Sequence, residues 1–457
     1  MAPNTKSSLI EKIGFSLTNL GNIPVMTVIN TYLMIFYTDI VGVAPAAVGM
    51  LFLVSRVMDS FSDPIMGFII DRAPKTKWGK YRPILAIGVV ICCINFALLW
   101  FAPLMFEGAK IAAIWVTYLL LGITFDAMDV PLNSLIPVIT RDKNDRNALS
   151  SIKGISYSVG SVLVNVGFPL IIAHYHNSLQ GYQILVFVTI GIVLLLSLVG
   201  CVLVREHTIE AESEEAVEHE EYDLKGLLRI IAFRPVLIMF IAMLFLQTAW
   251  NMFNNTVIYY VIYVLNDAAL LSNASIISLA GIVAAGVLMP FLVKRFGKVP
   301  MFIFSLVFMG SMLAMQVLSG PQVAIFFLAY LMLQAGRSLL NTMQYSLCAD
   351  NVELVKDHMG IRGAAAIASL NSLTVKFGNG IGGAVAATVL GASCYIANQA
   401  QTPEALMGIT IATFGIPFAL YLLAAFVFKV GYKVPELPEK SNLMAEEAGA
   451  SDAVILD

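Results

Sequence analysis

Residues 51–70, LFLVSRVMDSFSDPIMGFII, hold three charged side chains, Arg56, Asp59 and Asp63, inside one apolar run. About 20 apolar residues are what a helix needs to cross the hydrocarbon core of a bilayer. A charge at that depth is costly and is kept where it faces a cavity, a partner or an ion path. The spacings are three, four and seven, so all three side chains share one helical face. The stretch reads as a membrane-spanning helix with a candidate cation site.

The composition agrees. The 457-residue chain is 58% hydrophobic and 12% charged, whereas soluble domains carry about 25% charged residues. A net charge of −3 gives no reason to expect nucleic acid. Residues 1–12 are polar and lead straight into the first apolar run, so no cleavable leader is expected. The five cysteines and five histidines show no disulfide framework and no metal spacing. No Walker loop, nucleophile elbow or nucleophile–base set is present. The expectation is a transporter and not an enzyme. It has no cofactor and no metal beyond a transported monovalent cation, and it works as a monomer in the bilayer.

Twelve spans are read at 13–38, 45–70, 84–104, 110–136, 150–173 and 182–204, then 235–263, 272–293, 300–319, 322–346, 363–391 and 404–430. Lysine and arginine crowd the connections after spans two, four, eight and ten, while the opposite loops hold Lys110 alone. The positive-inside rule then puts both termini in the cytoplasm of an inner-membrane protein. The acidic run at 210–223 separates six spans from six, as a solvated hinge or as an amphipathic helix on the cytoplasmic face. The domains are 1–204, an N-terminal six-helix bundle; 205–234, an acidic linker; 235–430, a C-terminal bundle; and 431–457, a tail. GKYRP at 79–83 is echoed by GKVP at 297–300, the mark of a duplicated transporter.

Other charges lie within spans: Asp126 and Asp129 in span four, Lys153 in span five, Arg337 in span ten and Lys376 in span eleven. Asp59 and Asp63 are one turn apart and repel each other, and a bound Na⁺ or H⁺ relieves that repulsion. Ser62 and Thr124 offer neutral oxygens, and Asp126 a further acid. Asn19, Asn22 and Asn30 in span one suit a polyhydroxylated ligand, since each amide both donates and accepts. The glycine run at 378–383 lies inside a span and reads as close helix packing, not as a phosphate loop.

Several segments together resemble the glycoside–pentoside–hexuronide:cation symporters. They are FYTDIVG at 36–42, the span-two motif at 51–67, KWGKYRP at 77–83, DVPLNSLIP at 129–137 and DKNDRNAL at 142–149. ADNVE at 349–353, GIR at 360–362 and VKFG at 375–378 continue the likeness, which runs from about residue 12 to residue 428. The resemblance implies an all-α major facilitator fold, two six-helix bundles with alternating access to a central cavity. It implies a cation site at Asp59, Ser62, Asp63 and Asp126. It implies that Asp129 binds sugar hydroxyls and that Lys376 links the two sites. The substrate set is taken as Asn22, Asp129, Asn133, Lys153, Arg337 and Lys376, with Arg56 balancing charge. The cytoplasmic gate is taken as Lys77, Gly79, Lys80, Arg82, Asp142 and Arg146.

The chain departs from the family at its sugar site. The span-one acid is Ile23, the span-four aromatic is Asn133, and the span-five arginine position is Gly154, beside Lys153. Asp126 stands where a neutral hydroxyl is usual, and Arg337 is an added cation. One lost acid and one added arginine make the substrate side more positive. The function expected is import of a sugar or glycoside, including an anionic one such as a hexuronide, with Na⁺ or H⁺. An uncoupled uniporter and a non-transporting sensor on the same fold are the alternatives.

Overall fold

The computed structural model describes residues 7–140, 142–207, 224–360 and 363–433. The side chains of Ser62 and Asp63 lie outside the described residues, as do Arg141, Arg362, most of the acidic linker and the tail from residue 434.

Helix α1 (Leu9–Val28) opens on a capping box: Glu11 N donates to Ser8 Oγ at 3.3 Å, and Ser8 N donates to Glu11 Oε2 at 2.7 Å. It continues through two π-helical turns, Ile29–Leu33 and Phe36–Ile40. Then come α2 (Pro45–Asp71), α3 (Tyr81–Met105), α4 (Lys110–Ile139), α5 (Lys143–His174) and α6 (Leu179–Leu203). A short amphipathic α7 (Leu224–Ala232) follows the linker. After it run α8 (Arg234–Tyr259) with a π turn at Tyr260–Val264, α9 (Ala269–Phe296), α10 (Lys298–Ser319), α11 (Val323–Met359) and α12 (Ala364–Ala392). The last span joins α13 (Pro403–Thr410) to α14 (Ile416–Gly431) through a π turn at Ile411–Gly415. Among the described residues, ten helices are long and apolar enough to cross a membrane by length and composition.

Short connections make neighbouring spans antiparallel. One end of the molecule, here the basic end, carries the loops rich in lysine and arginine; the other is the far end. In the first half α1 packs on α5 and α6, α3 on α4 and α6, and α2 on α4. Six spans later the pattern repeats: α8 on α12 and α14, α10 on α11 and α14, and α9 on α11. The main contacts between halves, α2 with α12 and α5 with α9, exchange under the same operation. The halves are therefore related by a pseudo-twofold, the three-dimensional form of the GKYRP/GKVP echo.

Lipid gives helices no hydrophobic reason to associate, so the seams depend on small residues that let backbones approach. A Cβ on Gly88 of α3 would land on the Ala127 carbonyl of α4. The run at 378–383 packs on two sides, as expected: Gly378 and Gly382 meet Gln247 and Thr248 of α8, while Gly380 and Gly383 meet Arg56 and Phe52 of α2.

At the basic end several bonds lie inside one half. Glu206, just past α6, accepts from the backbone N–H groups of Lys80 (2.8 Å), Tyr81 (3.0 Å) and Arg82 (2.7 Å), capping α3 from outside. The Arg82 guanidinium donates to the Cys201 carbonyl at 2.8 Å. Lys12 pairs with Asp145 at 2.7 Å and Lys298 with Asp350 at 2.6 Å. Burial alone would lift the Asp145 carboxyl, but bonds from Lys12 and Ser7 outweigh it and hold it at about 2. The gate loop is thus tied to Glu206, a partner that sequence reasoning did not name. Arg146 Nε donates to the Thr140 carbonyl at 3.0 Å, and the Asp142 N–H donates to the Thr140 hydroxyl at 3.2 Å.

Gly88→Ala tests the packing account. Its Cβ meets backbone, which cannot swing aside, so overpacking should cost about 1–3 kcal/mol. Thermal unfolding in detergent should show a clear fall for Gly88→Ala and none for Gly167→Ala, where the added Cβ meets nothing within 4 Å.

Candidate functional site

Two of the three α2 charges, Arg56 and Asp59, are described. Arg56 Nη1 donates to Asp59 Oδ2 at 2.9 Å, and both residues are buried. Lys376 of α12 reaches across from the other half and donates to the Asp59 carbonyl oxygen at 3.0 Å. Two cations, one from each half, therefore converge on Asp59. Tyr118 of α4 lies against the Arg56 guanidinium. Asp126, also on α4, is buried. Thr124 differs from expectation: its hydroxyl accepts from Asn95 of α3 at 3.2 Å and donates to the Leu121 carbonyl at 3.2 Å. It is turned into the α3–α4 seam and away from α2.

Four of the six substrate residues form one hydrogen-bonded chain in the first half. Asn22 Nδ2 of α1 donates to Asp129 Oδ1 at 2.5 Å, and Asn133 Nδ2 donates to Asp129 Oδ2 at 2.8 Å. Lys153 Nζ of α5 donates to Asn133 Oδ1. The relay carries the Lys153 charge toward the Asp129 carboxylate through an amide that both accepts and donates. Asn22 Oδ1 is buried and has no partner.

Arg337 stands apart from that chain, in a cavity of about 290 Å³ between the halves, while Lys376 is at Asp59. The cavity lies at the lower end of the range for small-molecule sites, about 300–1,000 Å³. Its walls are dense in amides and hydroxyls: Asn30, Asn165, Gln247, Asn251, Asn254, Ser275, Ser278, Gln334, Asn341 and Asn379. Arg337 Nη2 donates to Gln247 Oε1 at 2.9 Å, and the guanidinium lies 5.0 Å from the centre of the Trp250 ring. Gln247 passes the bond on to Gln344 (3.1 Å), and Gln344 to Asn371 (2.6 Å). Among the described residues no carboxylate pairs with Arg337, and its Nη1 is buried without a partner. The α8 wall was missed in the sequence. Its signal is there, however: QTAWNMFNN at 247–255 places four amides and a tryptophan inside one span.

A second missed cluster closes the far end. Asp39, in the π turn that ends span one, is buried. Its carboxylate accepts from Tyr395 at 2.5 Å, Thr38 at 2.7 Å, Asn177 at 3.3 Å and the Tyr263 hydroxyl. Asn398 Nδ2 donates to its backbone oxygen. These partners come from the α5–α6 loop, the end of span seven and the α12–α13 connection, so the cluster ties both halves together.

Residues 14–436 match the model of a family described as MFS/sugar transport protein. The chain is similar to the isoprimeverose transporter of Lactiplantibacillus pentosus, 28% identical over 98% of this chain and 93% of that one. It is similar to the glucuronide carrier protein homolog of Escherichia coli strain K12, 30% identical over 90% of each. Among solved structures, that of the nucleoside transporter NupG superposes with a TM-score of 0.66 at 16% identity. The match covers 93% of this chain and all of that one, and the likeness is one of fold.

The Asp39 cluster makes a measurable difference to access. With Cys394 replaced by serine, a cysteine at Asn30 lies in the cavity below the cluster. Removing several bonds to a charged acceptor, each worth about 1.5–3 kcal/mol, should loosen the far end. Adding Asp39→Ala should then speed labelling of that cysteine, by an impermeant thiol reagent from the far side, at least about tenfold.

Proposed function

From the chain's membership of the MFS/sugar transport protein family, we propose that it is a secondary active symporter importing an acidic sugar or glycoside, driven by a monovalent cation. Sugar or glycoside transport is what the family and these relatives are named for. The anionic substrate is the finer reading, and one observation carries it. Arg337 faces an amide-lined cavity, is oriented by Gln247 and Trp250, and has no described carboxylate to neutralise it. A buried donor without a partner costs about 1–3 kcal/mol, and a ligand carboxylate relieves that cost. A planar guanidinium also matches a carboxylate in shape, which an ammonium does not. The amides around it pair with sugar hydroxyls, each amide meeting a hydroxyl as donor or as acceptor. That one relative is named a glucuronide carrier supports the same chemistry.

The cation acts at Asp59, with Ser62, Asp63 and Asp126 as further oxygen donors. In its absence Arg56 and Lys376 occupy the neighbourhood of Asp59. A bound Na⁺ or H⁺ displaces or weakens those contacts, and because Lys376 belongs to the other half, the change is felt across the molecule. Each ligand then alters affinity for the other by the same factor. The basic end faces the cytoplasm of a bacterial cell, with both termini there and the membrane being the inner one. The Arg56–Asp59 pair also favours a second reading, an uncoupled uniporter in which the acid is neutralised internally for good.

Proteoliposome uptake separates these readings. Arg337→Gln should lower uptake of an acidic glycoside by about tenfold to a hundredfold, the loss of one charge-assisted bond, and change neutral glycosides by less than about threefold. Equal losses for both classes would remove the anionic reading. Asp59→Asn should abolish accumulation against a gradient while leaving counterflow intact; a wild type that shows counterflow but no gradient-driven accumulation favours the uniporter, and accumulation unchanged in Asp59→Asn removes Asp59 as the cation ligand.

A further inference from the structure

Two tyrosines inside spanning helices are more exposed than buried. Tyr157 of α5 is 60% exposed and Tyr345 of α11 is 68% exposed. Tyr157 lines the central cavity, one turn from Ser161 on the same wall. Tyr345 stands four residues past Asn341 and eight past Arg337, both cavity-lining, so it shares their face of α11. Helix α5 runs away from the basic end and α11 runs toward it. Both rings therefore sit on the basic-end side of the cavity, one from each half. They lie near enough to each other and to the Arg337 guanidinium to interact electrostatically.

The other aromatic groups at this cavity are occupied. The Trp250 face carries Arg337. Tyr330 is buried, and its hydroxyl shares a hydrogen bond with Ser275 at 3.3 Å. Among the described residues, Tyr157 in the cavity wall and Tyr345 on the same face of α11 as the cavity-lining Arg337 and Asn341 show no ring contact and no hydrogen bond to the hydroxyl. A pyranose has an apolar C–H face as well as a polar rim. A tyrosine matches it, with an apolar body to cover that face and a hydroxyl to meet the rim. An amide cavity without such a surface would bind the hydroxyls and leave the C–H face uncovered.

We propose that Tyr157 and Tyr345 form an aromatic clamp that holds the sugar ring from its basic-end side while Arg337 holds the acidic substituent. The clamp rests on the reading of the cavity as a sugar site and adds to it the residues that select for a ring. Because one tyrosine comes from each half, the clamp grips when the basic ends approach and releases when they part. It favours ligands with one unbroken C–H face over open-chain polyols of equal hydroxyl count.

The test uses the full chain in proteoliposomes with p-nitrophenyl β-glucuronide, p-nitrophenyl β-xyloside and the open-chain polyol xylitol as probes. Tyr157→Ala and Tyr345→Ala should each raise KM for a glycoside at least tenfold, with the maximal rate held within threefold. Tyr157→Phe and Tyr345→Phe, which keep the ring, should stay within threefold of wild type in KM. A misfolded variant would lose rate instead, and the phenylalanine variants control for folding. An unchanged KM in both alanine variants overturns the clamp, and so does a phenylalanine variant as impaired as its alanine counterpart. If wild type binds and moves neither glycoside, the sugar reading falls and the clamp with it; that outcome is distinct from glycoside transport insensitive to both alanine substitutions.

Discussion

A carboxylate inside a bilayer has to be neutralised, and at Asp59 this is done from its own helix, while the other half of the molecule ties in at the Asp59 backbone. Arg56 supplies a guanidinium from the same helix at 2.9 Å, and Lys376 brings an ammonium from α12 to the Asp59 carbonyl at 3.0 Å. The second contact requires α2 and α12 to run very close together, which is why glycines stand at 380 and 383 opposite Arg56 and Phe52. The charge arrangement and the small-residue seam are one design: a bulkier residue at 380 would push apart the helices that carry Arg56 and Lys376.

The two ends of the molecule are built differently. At the far end, Asp39 gathers hydroxyls and amides from segments in both halves. At the basic end, the described ion pairs and the Glu206 cap all lie within one half or the other. Bonds that cross the pseudo-twofold resist separation, and bonds that do not cross it leave the halves free to rock. The cavity with Arg337 lies between these ends. At the far side the Asp39 bonds hold the two halves together.

Much of this was legible in the sequence because bilayer physics is strict. Span lengths, the skew of lysine and arginine, and the one-faced charges of residues 51–70 each follow from a single cost, that of polar groups in hydrocarbon. The glycine run at 378–383 was legible for the same reason. What escaped depends on distant pairing. Asp39 lies near a span end, where a charge is cheap, and its partners are Tyr263, Tyr395 and Asn177. Glu206 sits at the edge of an acidic run and looked like part of it, yet it caps α3. The amides at 247–255 carry no charge, so the cost that marks residues 51–70 does not single them out. The sequence reads Asn22, Asp129, Asn133 and Lys153 as part of a ligand shell; in the fold they hydrogen-bond to one another.

That self-satisfaction bears on how coupling would work. A site whose charges are already paired does not attract a ligand by raw electrostatics; the ligand must offer a better arrangement than the internal one. Under the proposed function a small cation at Asp59 would compete with Arg56 and Lys376, and its gain would be the difference between two arrangements of the same charges. Only one of those arrangements includes a tie between α2 and α12. A ligand that favours one of them therefore biases how the halves sit, by no more than its differential affinity for the two. Arg337 differs in kind. Its charge is oriented by Gln247 and Trp250 and has no carboxylate partner among the described residues, so under the proposed function a substrate anion would gain there without displacing one. That function thus gives one charge site to exchange and another to substrate. An exchange that loosens the halves, combined with a filling that draws them together, is what binds two fluxes into one cycle.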